Sequence, residues 1–341
     1  MRPLKELSTL LASPKKILIT HHHNPDADAL GSTLGLAHYL RSQGHHAVVI
    51  SPNTIPDFLM WMPGANEVLI YEQQSQAANL VIDAAEIHFS LDYNHLSRTQ
   101  SMFAKLQEFK GVRVLIDHHL FPDSGFDYGN SIHTKSSTCE MVYDFIMDNG
   151  GDDAITMPIA RCLYAGVMTD TGSFKFPSTT ASVHAMVARL MDKGLQPAKI
   201  HQDIFDTYGE NRLRFLGFVL SEKMQIFPES HAAIISVSRE ELSRFQLKTG
   251  DTEGIVNYPL SIQNILFSTF ISERDTEIRM SFRSKGHFDV NQFARTYFQG
   301  GGHANAAGGK SYLSLDITME NYRKALSENQ TQLQKCFQEL S

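Results

Sequence analysis

The stretch from residue 17 to residue 28 has the sequence ILITHHHNPDAD, in which a short apolar run is followed by histidines and aspartates. The apolar part, residues 17–20, predicts a buried β-strand, and the Asn-Pro pair after it marks the end of that strand. Apolar residues then recur at helical spacing over about 29–43, and Gly44 is a helix stop signal. A strand followed by an amphipathic helix is typical of a parallel sheet with crossover helices, so this stretch decides the fold class.

The same alternation of short apolar runs and helical stretches continues to about residue 195. Further strands are predicted at 47–50, 87–91 and 112–116. Helices are predicted at 76–85, 102–110, 137–149 and 155–168, and another ends near Gly194. Beyond residue 200, a polar helical stretch at 203–220 leads to strands at 232–237, 265–271 and 277–283 and a helix at 291–297.

A chain of 341 residues is long enough for about two domains, and the change of pattern near residue 200 indicates the boundary. We therefore predict an α/β protein in which residues 1–200 form an N-terminal parallel-sheet domain with flanking helices. Residues 201–225 are predicted to form a helical linker. Residues 226–341 are predicted to form a smaller α/β domain, with a cleft between the two domains.

The composition excludes several classes of protein. The chain has 30 Lys and Arg residues and 37 Asp and Glu residues, so its net charge is −7. A broad basic surface for long nucleic acid is therefore not expected. Three cysteines without a CxxC pair argue against a disulfide framework and a thiolate zinc site. No apolar run approaches the roughly 20 residues of a membrane span, and residues 1–11 lack the apolar core of a signal peptide. The expected location is the cytoplasm.

Histidine is unusually frequent in the first part of the chain, where 11 of the 16 histidines precede residue 134. Side chains of metal-ligand type follow three predicted strands and one predicted helix, and in a parallel sheet ligands bind beyond the carboxyl ends of the strands. These side chains are His21, His22, His23, Asp26, Asp28, Asp92, Asp117, His118, His119 and Asp170. Aspartate with neutral histidine suits Mn²⁺ or, less strictly, Mg²⁺. Two such ions about 3.5–4 Å apart would activate a water for phosphoester hydrolysis.

Each motif also has a simpler interpretation. The three histidines could form a solvated turn, and Asp170-Thr171-Gly172 could be only a turn or a helix cap. Asp83 and Asp92 are alternative candidates for the carboxylate ligand between the motifs at 21–28 and 117–119. Asp83 lies inside a helical stretch, which favours Asp92. The order of the motifs and their placement at strand ends together favour a site over these separate interpretations.

The segment 300–309, GGGHANAAGG, is a second candidate site. Glycines allow close approach to a phosphate, and the alanines from Ala304 onward predict a helix N-terminus, which favours anion binding over a flexible linker. Residues 283–285, Arg-Ser-Lys, form a compact basic cluster in an acidic protein, with a solvated strand end as the alternative.

Taken together, these motifs resemble those of the DHH family of phosphoesterases that carry a DHH-associated C-terminal domain. The resemblance spans residues 17–309, contains all four N-terminal motifs in order, and is closest to the oligoribonuclease (nanoRNase) branch of the family. It implies that residues 1–200 are the DHH domain and residues 226–341 the DHH-associated domain.

The resemblance also implies a role for each matching residue. One Mn²⁺ would be held by His22, Asp26 and Asp92. The other would be held by Asp28, Asp92, His118 and Asp170, so that Asp92 bridges the two ions. Asp117 would orient a neighbouring ligand, and His119 would contact the scissile phosphate or assist proton transfer. The implied substrate-binding residues are Arg98, Arg283, Ser284, Gly301, Gly302 and His303.

Two features depart from the family pattern or leave it ambiguous. Ala27 stands where the family usually has a glycine, and a positive φ at that position would strain alanine and shift Asp26 or Asp28. His21 and His23 flank the motif histidine, for which His22 is chosen because it precedes Asp26 by four residues, as in the family.

The implied activity is hydrolysis of very short oligoribonucleotides, including linear dinucleotides, to mononucleotides, and of 3′-phosphoadenosine 5′-phosphate to AMP and phosphate. The implied partners are these substrates, with neither long nucleic acid nor a membrane, and the sequence leaves a homodimer open. The alternative enzyme is a pyrophosphatase or short-chain exopolyphosphatase, although the basic motif of those relatives is reduced here to residues 283–285. A nucleotide-sensing binding protein is the non-enzyme alternative and would normally have lost a metal ligand, whereas none is missing.

Overall fold

The structure is a computed structural model that describes residues 1–207, 209–247 and 250–340. The chain divides into two compact units, one over residues 1–207 and one from residue 208 onward. The proposed domain limits at 200 and 226 stay predictions, and the residues of the proposed linker contribute helices to both units.

The first unit is built on a six-stranded parallel sheet. Its strands are β1 (Lys16–Thr20), β2 (His46–Ser51), β3 (Leu69–Ile70), β4 (Ile87–Leu91), β5 (Val112–Asp117) and β6 (Tyr128–Ser131). Their spatial order is β3-β2-β1-β4-β5-β6. Every neighbouring pair is parallel, so all six carboxyl ends meet at one edge. The order reverses between β1 and β4, and a crevice for ligands forms at such a switch point.

Helices cover both faces of this sheet. They are α1 (Ala27–Ser42), α2 (Tyr71–Ala84), α3 (Phe103–Gln107), α4 (Thr138–Gly150), α5 (Met157–Asp170), α6 (Ala181–Asp192) and α7 (Pro197–Phe205). The larger core lies between the sheet and α1, α4 and α5, and a smaller core lies under α2 and α3 on the other face. Helix α1 is buried along most of its length, because it is packed between the sheet and α5.

Two glycines explain how closely α1 approaches α5. A Cβ added at Gly31 would come closer than 3.0 Å to the carbonyl oxygen of Cys162, and one added at Gly35 would lie 2.7 Å from the Leu163 side chain. Real Cβ atoms do not approach other atoms so closely. Glycine at these two positions therefore lets the helix that carries Asp28 dock tightly on α5.

The second unit contains a mixed six-stranded sheet with the order β11-β12-β10-β9-β8-β7. The strands are β7 (Met224–Phe227), β8 (Ala232–Val237), β9 (Phe267–Glu273), β10 (Ile278–Ser284), β11 (Gly301–His303) and β12 (Ala306–Ser311). Only β8 and β9 pair in parallel among the described strands of this sheet. The helices are α8 (Glu210–Phe218), α9 (Arg239–Arg244), α10 (Val290–Tyr297), α11 (Leu315–Glu328) and α12 (Gln330–Gln338).

The α/β class and the parallel N-terminal sheet are confirmed, with two corrections to the predicted elements. The helical stretch at 203–220 is broken between α7 and α8, with Gly209 as the N-cap of α8. The helix predicted from Ala304 is wrong, since residues 301–311 form the antiparallel hairpin β11–β12. Within the described ranges, no helix has both the length and the apolar character that crossing a membrane requires.

Candidate metal centre

The carboxyl ends of β1, β4 and β5 bring the predicted N-terminal ligands together. His22 follows β1, Asp92 follows β4 directly, and His118 follows β5 directly. The remaining ligands come from helix ends: Asp26 is the N-cap of α1, Asp28 lies in its first turn, and Asp170 is the last residue of α5. One sheet edge therefore collects residues from four separate parts of the sequence, as the strand-end argument predicts.

His22, Asp26 and Asp92 form a first group whose ligand atoms all lie within 4.8 Å of one another. Nε2 of His22 lies 3.4 Å from Oδ2 of Asp92 and 3.8 Å from Oδ2 of Asp26. The other oxygen of Asp26 accepts hydrogen bonds from the amides of Asp28 and Ala29, at 3.1 and 3.0 Å. Asp26 therefore caps helix α1 with one oxygen and faces His22 with the other.

Asp28, Asp92 and His118 form a second group with the same spacing. Nε2 of His118 lies 3.4 Å from Oδ1 of Asp92 and 3.8 Å from Oδ2 of Asp28. Oδ2 of Asp170 lies 3.4 Å from the same nitrogen, which brings Asp170 into contact with this group. Asp92 is common to both groups, with Oδ2 facing His22 and Oδ1 facing His118.

Burial makes the charges of this cluster unfavourable on their own. Burial, and then the negative charge of Asp92, raises the pKa of Asp28 to about 7. Burial and the charges of Asp28 and Asp26 raise the pKa of Asp170 well above its usual value. Carboxylates that resist ionisation because they crowd together are the groups that bound cations would stabilise.

Asp92 and His118 show the opposite behaviour. Burial alone would raise the pKa of Asp92, but hydrogen bonds with His118 and His22 outweigh burial and hold this pKa well below its usual value. Burial alone would lower the pKa of His118, but the interactions with Asp92, Asp170 and Asp28 raise it to about 10. Near neutral pH the His118 imidazole therefore carries a proton that partly neutralises these carboxylates, and a cation would take the place of that proton.

The donor set suits hard divalent cations. It consists of carboxylate oxygens and imidazole nitrogens, the ligands that manganese and magnesium sites use, and it contains no thiolate. Cys139 is the nearest cysteine, and its pKa is raised well above the usual value by burial and by the charge of Asp28. A protonated thiol is a poor metal ligand. The residues present therefore fit Mn²⁺ or Mg²⁺ better than thiol-selective metals.

Asp117 and His119 form a dyad beside this cluster. Nδ1 of His119 lies 2.7 Å from Oδ1 of Asp117, which is fully buried. Burial lowers the pKa of His119, and the charge of Arg98 lowers it further, against the hydrogen bond with Asp117. In the neutral ring, a proton held on Nδ1 by Asp117 makes Nε2 the basic nitrogen. Nδ1 of His119 also lies 3.7 Å from Oδ1 of Asp92, so the dyad adjoins the second group.

Arg98 lies near both histidines. Its charge acts on His119 and also opposes the raised pKa of His22, after the larger effects of burial and the Asp92 hydrogen bond. Its carbonyl oxygen accepts a hydrogen bond from the His23 amide at 2.8 Å, which ties the segment after β4 to the segment after β1.

The structure distinguishes His22 from His21 and His23, and it places Asp92 in the cluster and Asp83 outside it. Nδ1 of His21 is hydrogen-bonded to the carbonyl oxygen of His22, and Nε2 of His23 lies 3.8 Å from Glu72. Asp83 is an exposed residue of α2 that pairs with Lys105, so it lies outside the cluster. Ala27 is the first residue of α1 and its φ is not positive. The backbone strain that a positive φ would cause in alanine is therefore not found.

In the second unit, Arg283 and His303 lie on one face of the sheet. Arg283 is paired with Ala306 on one side, and His303 is paired with Ala306 on the other. Directly paired residues point to the same face, so the two residues flank Ala306 with their backbones about 10 Å apart, two strand spacings. A cationic and an imidazole side chain on one face form a candidate anion-binding surface.

Ser284 and the glycines are explained largely by packing. The Ser284 hydroxyl donates to the carbonyl oxygen of Phe288 at 2.7 Å and accepts from Asn305 at 2.9 Å. Gly302 has a φ of 151°, and a Cβ there would lie 2.5 Å from the carbonyl oxygen of Ala306. At Gly301 the nearest atom to an added Cβ is Oδ1 of Asn291 at 3.6 Å, an ordinary contact distance. Close packing therefore requires glycine at residue 302 but not at residue 301.

Sequence reasoning predicted a helix at 137–149 but missed that its N-terminus contributes to the site. Thr138 donates its hydroxyl to Asp92, and the amides of Thr138 and Cys139 donate to Asp28. The signal that could have found this contribution is the Ser-Ser-Thr run at 136–138, a helix-capping sequence at the start of the predicted helix.

Two family models match the chain. The model of the DHH family, N-terminal domain, matches residues 16–167, and the model of the DHHA1 domain matches residues 232–334. These ranges lie within the first and second compact units respectively.

The chain is similar to several named proteins over nearly its whole length. It is 28% identical to the probable bifunctional oligoribonuclease and PAP phosphatase NrnA of Streptococcus mutans, over 89% of this chain and 93% of the relative. It is 28% identical to the bifunctional oligoribonuclease and PAP phosphatase NrnA of Bacillus subtilis, over 90% and 93%. The crystal structure of an exopolyphosphatase-related protein from Bacteroides fragilis is 37% identical, with a TM-score of 0.93 over 97% of each chain.

A manganese enzyme is also among the relatives. A probable manganese-dependent inorganic pyrophosphatase of Streptococcus thermophilus is 26% identical over 80% of each chain. The two domain matches, the 37% identical structure and the four motifs at one sheet edge lead to the same assignment. The chain belongs to the DHH family, with a DHHA1 domain after its DHH domain.

Proposed function

We propose that this protein is a metal-dependent phosphoesterase that degrades very short oligoribonucleotides, including linear dinucleotides, to mononucleotides. Its second substrate is 3′-phosphoadenosine 5′-phosphate, which it converts to AMP and phosphate. The observation that carries the proposal is the position of Asp92, whose two carboxylate oxygens face two separate groups of ligand side chains. A carboxylate shared in this way is the arrangement that a two-metal phosphoesterase requires.

The proposed ligands follow the two groups. His22, Asp26 and Asp92 would hold one ion, and Asp28, Asp92, His118 and Asp170 would hold the other. Mn²⁺ is the preferred ion and Mg²⁺ the less strict alternative, because the donors are oxygens and imidazole nitrogens. Bound there, the ions would lower the pKa of a water and neutralise charge on the phosphoryl group.

The chain's own residues supply the remaining chemistry. Asp117 holds a proton on Nδ1 of His119, which leaves Nε2 to accept a second proton. Once protonated, Nε2 can donate to the scissile phosphate or pass the proton on. Arg98 adds a positive charge beside His22 and His119, where a phosphate oxygen would be attracted. In the second unit, Arg283, Gly301 and His303 are proposed to bind substrate, while Ser284 and Gly302 shape the strands that carry them.

The preference for short substrates is supported by charge and by the relatives. A protein with a net charge of −7 repels a long polyanion, whereas a substrate with one or two phosphates needs only a local basic site. The two NrnA relatives that match nearly the whole chain are named for oligoribonuclease and PAP phosphatase activity. We also propose a cytoplasmic location, because all three cysteines are free thiols, as a reducing compartment maintains them.

Hydrolysis of short polyphosphate or pyrophosphate is the second candidate. It is favoured by the name of the 37% identical structure, an exopolyphosphatase-related protein, and by the pyrophosphatase relative. The same pair of ligand groups could support this reaction. A sensing protein without activity is less well supported, because every proposed ligand is present and clustered.

One substrate panel tests these functions. Purified protein with Mn²⁺ is incubated with RNA dimers, slightly longer RNA oligomers, one long RNA, 3′-phosphoadenosine 5′-phosphate, pyrophosphate and short polyphosphate. We expect rapid release of mononucleotides from the dimers, release of phosphate from 3′-phosphoadenosine 5′-phosphate, and loss of both activities in EDTA. Rapid turnover of pyrophosphate or polyphosphate with inert dimers would replace the main proposal by the second candidate.

A further inference from the structure

The N-terminus of α4 makes direct hydrogen bonds to two of the proposed metal-binding carboxylates. The Thr138 hydroxyl donates to Oδ1 of Asp92 at 3.0 Å. The Thr138 amide donates to Oδ2 of Asp28 at 2.7 Å, and the Cys139 amide donates to Oδ1 of Asp28 at 2.8 Å. Thr138 and Cys139 are fully buried, so these bonds are protected from competing water.

We propose that Thr138 is a positioning residue, which orients the shared carboxylate of Asp92 so that each oxygen faces one ion. This inference rests on the two-metal centre proposed above. A carboxylate can rotate about its Cβ–Cγ bond, and only orientations related by a half-turn, which are equivalent, place one oxygen at the His118 group and the other at His22. The hydroxyl holds Oδ1 in that orientation and leaves the second lone pair of the same oxygen for an ion.

The hydroxyl of Thr138 is available for this role because of its place in the helix. A buried threonine inside a helix usually donates to a carbonyl of the preceding turn, as Thr33 in α1 does to Ala29 and Leu30. Thr138 is the first residue of α4, so no helical turn precedes it. Its hydroxyl points instead at a side chain 46 residues away in sequence.

A network on the other side of the helix start keeps Thr138 in place. Ser137 caps α4 by accepting a hydrogen bond from the Glu140 amide at 3.1 Å. The buried Glu140 carboxylate accepts from the amide and hydroxyl of Ser136 at 2.9 and 2.8 Å, and from Ser182 of α6 at 2.7 Å. Lys135 donates to the same carboxylate at 2.9 Å, and its carbonyl oxygen lies 3.4 Å from Nδ1 of His118. The segment before α4 is therefore bonded both to the helix and to a proposed ligand.

The backbone amides of Thr138 and Cys139 have a complementary effect on Asp28. Each oxygen of Asp28 accepts one amide of the α4 N-terminus, which is the positive end of the helix dipole. These donors favour the ionised form of a carboxylate that burial otherwise pushes towards protonation. Gly166 of α5 leaves room for the Asp28 side chain, because an added Cβ at Gly166 would lie 2.7 Å from Oδ1 of Asp28. Orientation of Asp92 thus depends on the Thr138 side chain, whereas support of Asp28 depends on the backbone.

This difference makes the role of the hydroxyl separable by substitution. Thr138→Val keeps the shape and both amides but removes the hydroxyl, Thr138→Ser keeps the hydroxyl, and Thr33→Val removes a buried hydroxyl from a neighbouring helix as the matched control. Mn²⁺ affinity and stoichiometry are measured by isothermal titration calorimetry on the full chain. We expect Thr138→Val to bind Mn²⁺ about 10–100-fold more weakly, with Thr138→Ser and Thr33→Val within about threefold of the wild type.

The outcomes are distinct. Wild-type affinity in Thr138→Val would overturn the inference while leaving the proposed function intact, and so would equal losses in Thr138→Ser and Thr138→Val, which would indicate packing by the methyl group. A wild-type protein that binds no Mn²⁺ would overturn both this inference and the metal centre. Circular dichroism in EDTA checks the fold of each variant, and Thr138→Ala replaces Thr138→Val if the latter does not fold.

Discussion

Asp92 has a left-handed backbone conformation, and its carboxylate belongs to both groups of candidate ligands. Its φ is 60°, a region that residues other than glycine adopt rarely, and its side chain is only 2% exposed. Strain of this kind persists where the surrounding structure holds the residue in place, and it is concentrated at functional sites. The backbone amide of Asp92 is bonded to the Ile116 carbonyl of β5, which helps to hold the residue where β4 ends.

Replacing Asp92 by asparagine tests its proposed role with almost no change in shape. We expect kcat for an RNA dimer to fall by at least about 10³-fold, because loss of a shared ligand removes several kcal/mol of charge stabilisation. The matched control is Asp83→Asn on the exposed face of α2, for which we expect activity within about twofold of the wild type. Asp92→Asn activity close to that of the wild type would contradict the assignment of Asp92 as the shared ligand.

His88 gives a prediction about stability that does not involve the metal ligands. Burial lowers the pKa of His88 to about 3, and its Nε2 is hydrogen-bonded to the Thr20 hydroxyl at 2.8 Å. The folded protein therefore keeps His88 neutral, while the unfolded chain takes up a proton below a pH of about 6.5. His88 thus contributes stability that is present above pH 6.5 and is lost as the pH falls from 6.5 towards 3, by about 1.4 kcal/mol per pH unit.

Urea unfolding of the wild type and of His88→Gln at pH 7 and pH 5 measures this contribution. The variant lacks the titrating group, so we expect the stability gap between the two proteins to narrow by about 2 kcal/mol from pH 7 to pH 5. Other titratable groups are common to both proteins and cancel in the comparison. A gap that stays constant would show that His88 is protonated equally in the folded and unfolded states.

At the scale of elements, the contact between α1 and α5 decides where the ligands lie. Asp26 and Asp28 are at the start of α1, and Asp170 is at the end of α5. Gly31 brings the two helices together, and glycine at Gly166 of α5 makes room for Asp28. Neither glycine stands out by composition, because their function depends on what lies opposite them in the folded structure.

Gly31→Ala tests this close approach. The added methyl group would press on the backbone carbonyl of Cys162, which cannot rotate away, so we expect a loss of about 1–3 kcal/mol in the free energy of unfolding. Gly217→Ala in α8 is the matched control, since nothing lies within 4 Å of an added Cβ there. We expect Gly217→Ala to be neutral or up to about 1 kcal/mol more stable, as alanine favours a helix. Equal effects of the two substitutions in urea unfolding would contradict this packing argument.

For the molecule as a whole, the net charge of −7 limits the kind of polyanion that it can bind. Electrostatic binding to single strands weakens with salt in proportion to the number of phosphates contacted. A site for one or two phosphates predicts a weak salt dependence, and an extended basic surface predicts a strong one.

Measurement of kcat/KM for an RNA oligomer of about eight nucleotides, which carries enough phosphates for either case, at 50 and 200 mM salt distinguishes the two. With two phosphate contacts we expect a decrease of about sevenfold or less, whereas six contacts would give roughly several hundredfold. Pyrophosphate, assayed in parallel if it is turned over, controls for salt effects on the metal centre. A decrease of several hundredfold with the oligomer would indicate a long nucleic-acid surface that the charge of the chain does not predict.

The sequence by itself determined the α/β class and most strands of the first unit, and its motifs identified the candidate ligands that the structure brings together. Apolar runs that alternate with helices identify a parallel sheet, and such a sheet has only one edge where the polar residues after its strands can meet. The short strands β3 and β6 were missed, because a few residues carry too weak a pattern. The hairpin β11–β12 was mistaken for a helix start, because small residues have no periodicity that distinguishes the two.

Only the tertiary structure decided how those ligands are oriented. Spacing could not show that the oxygens of Asp92 face different groups, that Asp26 also caps α1, or that Thr138 donates to Asp92. The Thr138 bond to Asp92 joins residues 46 positions apart, and it forms only after α4 has packed on the sheet. Sequence patterns record which face of an element is buried, whereas hydrogen bonds between distant side chains depend on the exact approach of elements that local sequence does not encode.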